Sequence, residues 1–367
     1  MKIEHTLRKE GIQVIKPLDT LKVISIAEKI SYRLCQVFPE HILDKTEIFA
    51  MISRLNMYAA KLDDKLCGAK YFFDNDSVYF NAEFDLNNIE DFITHECIHY
   101  LQQKLDSNGH VSHLGLYDLT SGVGEAINEA SVQLMVADAF DYKKDTVKYY
   151  DITTPTISPY YYPLQCALLS QMVYFTGTYP LINSTLFSND IFKNTFSTIS
   201  DSKTYEFISE KLDVLLNLEN ELSNNISEIE ELDGNVTRIR RINKKIDFLK
   251  KEISKTFFTI QNRIISHCFS NSFHNIRNLE NLKEFKNKLY EFKNLVGSNS
   301  TYTFFNDFYC HTMSALEQKQ EELSTKASDI PDIISTSLTI VNTNKSVFSL
   351  FRRLFTKLSF RRQRNLL

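Results

Sequence analysis

The sequence predicts an α+β fold, with a mixed domain over residues 1–180 and a mostly α-helical C-terminal region after it. Three observations carry this reading. Short β-like runs lie between helix-period segments in the first half, and a long apolar seam at three- and four-residue steps runs through the second. Glycine and proline number only 9 and 7 in 367 residues, so few breaks interrupt long helices.

The elements follow in order. "LDTLKVISIAEKISYRLCQVF" (18–38) has helical periodicity and is stopped by Pro39; residues 41–56 predict a second helix. "MYAAKL" (57–62), "AKYFFD" (69–74) and "SVYFNAEF" (77–84) read as strands of a small antiparallel sheet, because Asp- and Asn-rich turns separate them. Two helices follow, at about 89–105 and 122–140, with the polar loop "DSNGHVSHLGLYDLTSG" between them. Residues 181–330 form the helical region. Within it, 205–266 carries a coiled-coil seam that includes Leu212, Leu215, Leu222, Ile246, Leu249, Ile253 and Phe257. "DGN" (233–235) signals a turn midway, the arm before it is acidic and the arm after it is basic. An antiparallel helical hairpin sets those charges opposite each other; a dimeric coiled coil is the alternative. More helix is expected through 278–325.

Residues 331–367 read as a linker and a basic amphipathic helix. The segment 345–367 holds seven Lys and Arg and no acid, with Phe348, Phe351, Leu354, Phe355 and Leu358 on one face. That pattern suits an anionic membrane surface, with an acidic protein partner as the second reading. The net charge of −4 provides no global field for nucleic acid, so none is expected as partner. No stretch of 18 apolar residues and no secretory apolar run is present. Six scattered cysteines, never at C-x-x-C spacing, read as reduced thiols. The expected compartment is the cytoplasm, at the membrane periphery if the tail binds lipid.

The chemistry sits in "FITHECIHYLQQ" (92–103), which contains His95, Glu96 and His99 as H-E-x-x-H. Residues i and i+4 lie nearly above one another on a helix, so two imidazoles aim at one point. Glu96, one step on, points beside that point, where a carboxylate can take a proton from water rather than ligate. Neutral imidazoles, an open position and a carboxylate base are what zinc hydrolysis requires. The stripe Ile89, Ile93, Cys97, Tyr100 and Leu101 lies away from the pair and packs the helix. Solvated histidines on an outer face would show the same amphipathicity, so a third ligand is needed. The helix 122–140 is apolar nearly all round yet holds Glu125 and Glu129 on one face. A buried carboxylate is costly unless it is paired with a cation or bound to a metal.

H-E-x-x-H followed some thirty residues later by N-E-A resembles the gluzincin branch of zinc metallopeptidases, over about residues 77–140. "GEAINEAS" is similar to the thermolysin-type segment that carries the glutamate ligand. The resemblance implies a zincin-like metallopeptidase domain, a peptide or protein substrate and Zn2+ as cofactor. It implies His95, His99 and Glu129 as ligands and Glu96 as general base. For the oxyanion it points to Tyr117, shortly before the glutamate, ahead of Tyr160, Tyr161, Tyr162 and His113. It also implies that "SVYFNAEF" is the edge strand along which a substrate lies. The sequence departs from the family where Gln133 stands four residues after the ligand glutamate in place of an aspartate. The family's downstream histidine is not found, and the H-x-x-G-x-x-H continuation of the metzincins is absent. The competing class is a non-catalytic zincin-like scaffold, or a membrane-peripheral interaction protein that acts through its coiled coil and tail.

Overall fold

The computed structural model describes residues 2–38, 43–63, 67–87, 90–232, 236–299 and 303–328. The chain starts with α1 (Lys2–Lys9), β1 (Ile12–Pro17), α2 (Thr20–Val37) and α3 (Lys45–Ile52). Asp19 and Asp44 cap α2 and α3 by accepting from the backbone N–H of Lys22 and Glu47. Strands β2 (Asn56–Leu62), β3 (Ala69–Phe72) and β4 (Ser77–Asn81) complete a four-stranded sheet in the order β1-β2-β4-β3.

This sheet is mixed, which corrects the expected antiparallel one. β2 runs parallel to β4, while β1–β2 and β3–β4 are antiparallel. β3 does not fold back on β2 as a hairpin but passes to the outside of β4. β4 is therefore interior and all five of its residues are buried, so it cannot be the substrate edge strand that the resemblance implied. The edge is β3.

Helix α4 (Glu90–Leu101) packs between this sheet and α5 (Glu125–Ala139). Ile26, Ile30 and Leu34 of α2, Val78 and Phe80 of β4, Ile93, Cys97 and Ile98 of α4, and Val132, Met135 and Val136 of α5 form one buried cluster. The opposite face of the sheet is covered through Leu7, with Ile12, Ala60, Leu62, Phe72 and Tyr79. The expected loop between α4 and α5 is instead a three-stranded sheet of β5 (Gln103–Leu105), β6 (Val111–Leu114) and β7 (Tyr117–Asp118). A hairpin of β8 (Asp145–Tyr149) and β9 (Ile152–Thr156) follows α5.

The rest is helical: α6 (Pro163–Thr176), α7 (Thr178–Phe187), α8 (Ile191–Ile199), α9 (Ser202–Glu231), α10 (Val236–His274), α11 (Leu279–Phe292) and α12 (Phe304–Ser328). α9 and α10 pair antiparallel. Glu228 meets Arg238, and Glu221, two turns earlier, meets Lys245, two turns later. Such exposed ion pairs contribute little each. The pairing is held by the buried seam of Leu212, Leu215, Leu222, Ile246, Leu249, Ile253 and Phe257. The turn at Gly234 lies outside the described residues. Residues Met1–Gln320 form one compact unit, within which α9 packs on α5 and α10 on α6. Of the second unit, Glu321–Leu367, only the end of α12 is described, and the segment 345–367 lies outside the described residues. Among the described residues no helix is long and apolar enough to cross a membrane.

Candidate metal centre

α4 presents His95 and His99 on one face, and both rings are buried, at 9% and 8% exposure. α5 is started by a tight entry. Gly124 has φ +97, and a Cβ there would run into the Leu116 carbonyl oxygen, so only glycine fits. Asp213, from α9, accepts 2.8 Å hydrogen bonds from the N–H groups of Gly124 and Ala126. A carboxylate from a distant helix thus caps α5 one turn before Glu129.

The two histidines and Glu129 converge. His95 Nε2 and His99 Nε2 are 3.0 Å apart. Glu129 Oε2 lies 3.1 Å from His95 Nε2, and Glu129 Oε1 lies 3.3 Å from His99 Nε2. A tetrahedral zinc with bonds of about 2.0–2.1 Å would have ligand–ligand edges of roughly 3.3–3.4 Å. The observed triangle is slightly smaller, as expected for groups that share protons. Among the described residues this is the one group of three His, Cys, Asp or Glu side chains whose ligand atoms converge in this way. Glu125, four residues before Glu129, is exposed and does not join it.

Electrostatics fits a cation at this point. Glu129 is held well below the usual carboxylate range: burial would raise it, but the His99 and His95 rings outweigh burial by charge and hydrogen bonds. Burial would lower His99, yet the charge and hydrogen bond of Glu129 carry it up to about 9. Glu96 is raised by burial against the pull of His95, His99 and the Tyr71 N–H, which donates to its Oε2 at 2.6 Å. Among the described residues neither carboxylate has a Lys or Arg partner. Two imidazoles and the partly buried Glu129 carboxylate, with no Lys or Arg beside them among the described residues, form a donor set that suits a divalent metal.

Gln133 takes up the position that the sequence left open. Its Oε1 lies 3.2 Å from His95 Nδ1, so the ring N–H donates to a neutral amide and Nε2 keeps its lone pair for a ligand. The tyrosines sort by position. Tyr117, on β7, lies near Glu125 and Asp213. His113 lies near Asp118, Tyr160 is 86% exposed, and Tyr161 packs edge-on against Phe92. Tyr162 is the tyrosine at the cluster. Its ring is nearly parallel to that of His95 with centroids 6.3 Å apart, and its hydroxyl lies close to Glu129. The charge of Glu129, then burial, holds that hydroxyl well above its ordinary range. Tyr162 has φ +50, a conformation costly for a residue with a side chain, and Pro163 opens α6 directly after it. In the sequence, Tyr162 stood among three consecutive tyrosines in "SPYYYP", and no local signal separates them. Comparison of the chain with family models, with curated proteins and with solved structures finds no match.

Proposed function

We propose that this chain is a zinc-dependent peptidase with His95, His99 and Glu129 as metal ligands and Glu96 as general base. The observation that carries the reading is the convergence of both Nε2 atoms and the Glu129 carboxylate within 3.0–3.3 Å of one another, beside the partly buried Glu96 carboxylate. When bound, zinc supplies Lewis acidity that polarises a peptide carbonyl and brings the pKa of water toward neutrality. Glu96 removes the proton from the attacking water and passes it to the leaving amine. Its raised pKa suits this, since a base that must also act as acid works best when its pKa approaches the working pH. The Tyr71 N–H fixes one Glu96 oxygen and leaves the other to face the water. Tyr162 donates its hydroxyl to the oxyanion that develops on the carbonyl, a part for which the sequence favoured Tyr117.

The test is Glu96→Gln, which keeps the shape and leaves the three ligands in place. Zinc content should stay at the wild-type level while hydrolysis of a peptide library falls by several orders of magnitude. A wild-type protein that holds zinc but cleaves no peptide would reassign the chain to the scaffold class.

A further inference from the structure

A cleft of about 370 Å³ opens between the β6–β7 hairpin, the start of α8 and the first turns of α9, a size usual for small-molecule sites. Tyr205 and Ser209 of α9 line it four positions apart, and so share one helix face. They are only 7% and 4% exposed, yet neither hydroxyl has a hydrogen-bond partner among the described residues. A buried hydroxyl without a partner is costly. Thr259 and Ser272 avoid that cost by donating to the helix carbonyl one turn earlier, and Ser209 does not. Both side chains line the cleft, so both hydroxyls are available to a group that enters it. Burial first, then the charges of Asp190 and Asp213, hold the Tyr205 hydroxyl well above its ordinary range, so it stays neutral.

The charge around these hydroxyls is negative. Asp118, Asp190, Glu206 and Glu210 line the cleft against two lysines, and both lysines are engaged. Lys193 Nζ lies 3.9 Å from Glu206 and over the Tyr205 ring, while Lys104 Nζ donates to the Ser188 carbonyl at 3.4 Å. Asp118 accepts from the Thr120 N–H and the Ser121 hydroxyl. The Asp190 and Glu210 carboxylates have no hydrogen bond or ion pair among the described residues. Asp190 stands at the cap position of α8 without capping it, whereas Asp201 at the same position of α9 accepts from the Thr204 N–H. We propose that this cleft binds an alkylammonium or guanidinium group, the head of a lysine or arginine side chain. Asp190 supplies the counter-charge, and the Tyr205 and Ser209 hydroxyls accept from the N–H groups of the cation. Leu116 and Val123, also in the lining, take the methylene stem. His95, His99 and Glu129 do not line this cleft, so the site does not depend on their holding a metal.

The experiment titrates the full chain with Nα-acetyl-lysine amide, Nα-acetyl-arginine amide and cadaverine, and with the neutral Nα-acetyl-norleucine amide, by ligand-observed NMR. At least one of the three cations should bind, and the norleucine compound should not. Asp190→Asn should weaken that binding about tenfold, and Tyr205→Phe and Ser209→Ala each about two- to tenfold. All three substitutions keep the shape of the side chain or remove one oxygen, and circular dichroism checks that each variant is folded. Tighter binding of an amino-acid amide than of cadaverine assigns a peptide side chain as the ligand, and the reverse order assigns a free amine. Norleucine amide binding as tightly as the cations, unchanged affinity in Asp190→Asn, or no binding by any cation overturns the proposal. Each of these outcomes leaves the metal-site reading standing, and a chain that takes up no zinc leaves the cation site standing.

Discussion

On the proposed reading, a metal and a proton compete for one atom, Nε2 of His99. With its pKa near 9, the metal-free protein keeps this ring protonated at neutral pH, against Glu129. A ligand imidazole must be neutral, so binding expels that proton. Apparent zinc affinity should therefore climb about tenfold per pH unit from neutrality and level off near pH 9. A flat profile over that window, read by chelator competition, would contradict the pairing. The same pair governs the stability of the metal-free protein. His99, raised from 6.5 to about 9, stabilises fully below pH 6.5 and loses this as pH rises through about 9. Glu129, depressed from 4.5, stabilises above that value and loses it as pH falls. The pair contributes most between pH 4.5 and 6.5. At this scale the convergence of His95 and His99 was legible, because helical periodicity alone aims the two rings together. The place of Tyr162 was not, because it depends on where α6 comes to lie.

Helices were read more faithfully than strands. α2, α5 and the two hairpin arms have apolar faces long enough to repeat several times, and they stand close to the expected bounds. Strand β1 buries one residue of six, so it has no alternation to detect. Strands β5 to β7 are only two to four residues long, inside a segment that reads as a polar loop. α4 ends at Leu101 rather than near 105 because Gln103–Leu105 pairs with β6. The parallel pairing of β2 with β4 is set by the path of β3, which no local pattern encodes. The cap on α5 has the same long-range character, since Asp213 lies some ninety residues from the N–H groups it accepts. Asp213→Ala should lower unfolding free energy by about 1–2 kcal/mol, with Asp213→Asn milder. A urea titration measures it, and no shift in midpoint would show that water caps the helix equally well.

At the scale of the molecule, the helical hairpin is bound to the candidate centre through Asp213 and through the packing of α9 on α5. The tail 345–367 carries seven basic residues and no acid opposite its Phe and Leu positions. We propose that it binds anionic membrane surfaces. The full chain should co-sediment with phosphatidylserine vesicles at low salt, and a chain ending at 344 should not. Equal binding by both would remove the tail from the account. The central claim is that His95, His99 and Glu129, and not Glu125, hold one zinc. Metal analysis of purified wild type and single alanine variants tests it most directly. About one zinc per chain is expected in the wild type and in Glu125→Ala, and a large loss in His95→Ala, His99→Ala and Glu129→Ala. Full zinc in Glu129→Ala with loss in Glu125→Ala would contradict the ligand set, and unchanged zinc in all four variants would contradict the centre itself.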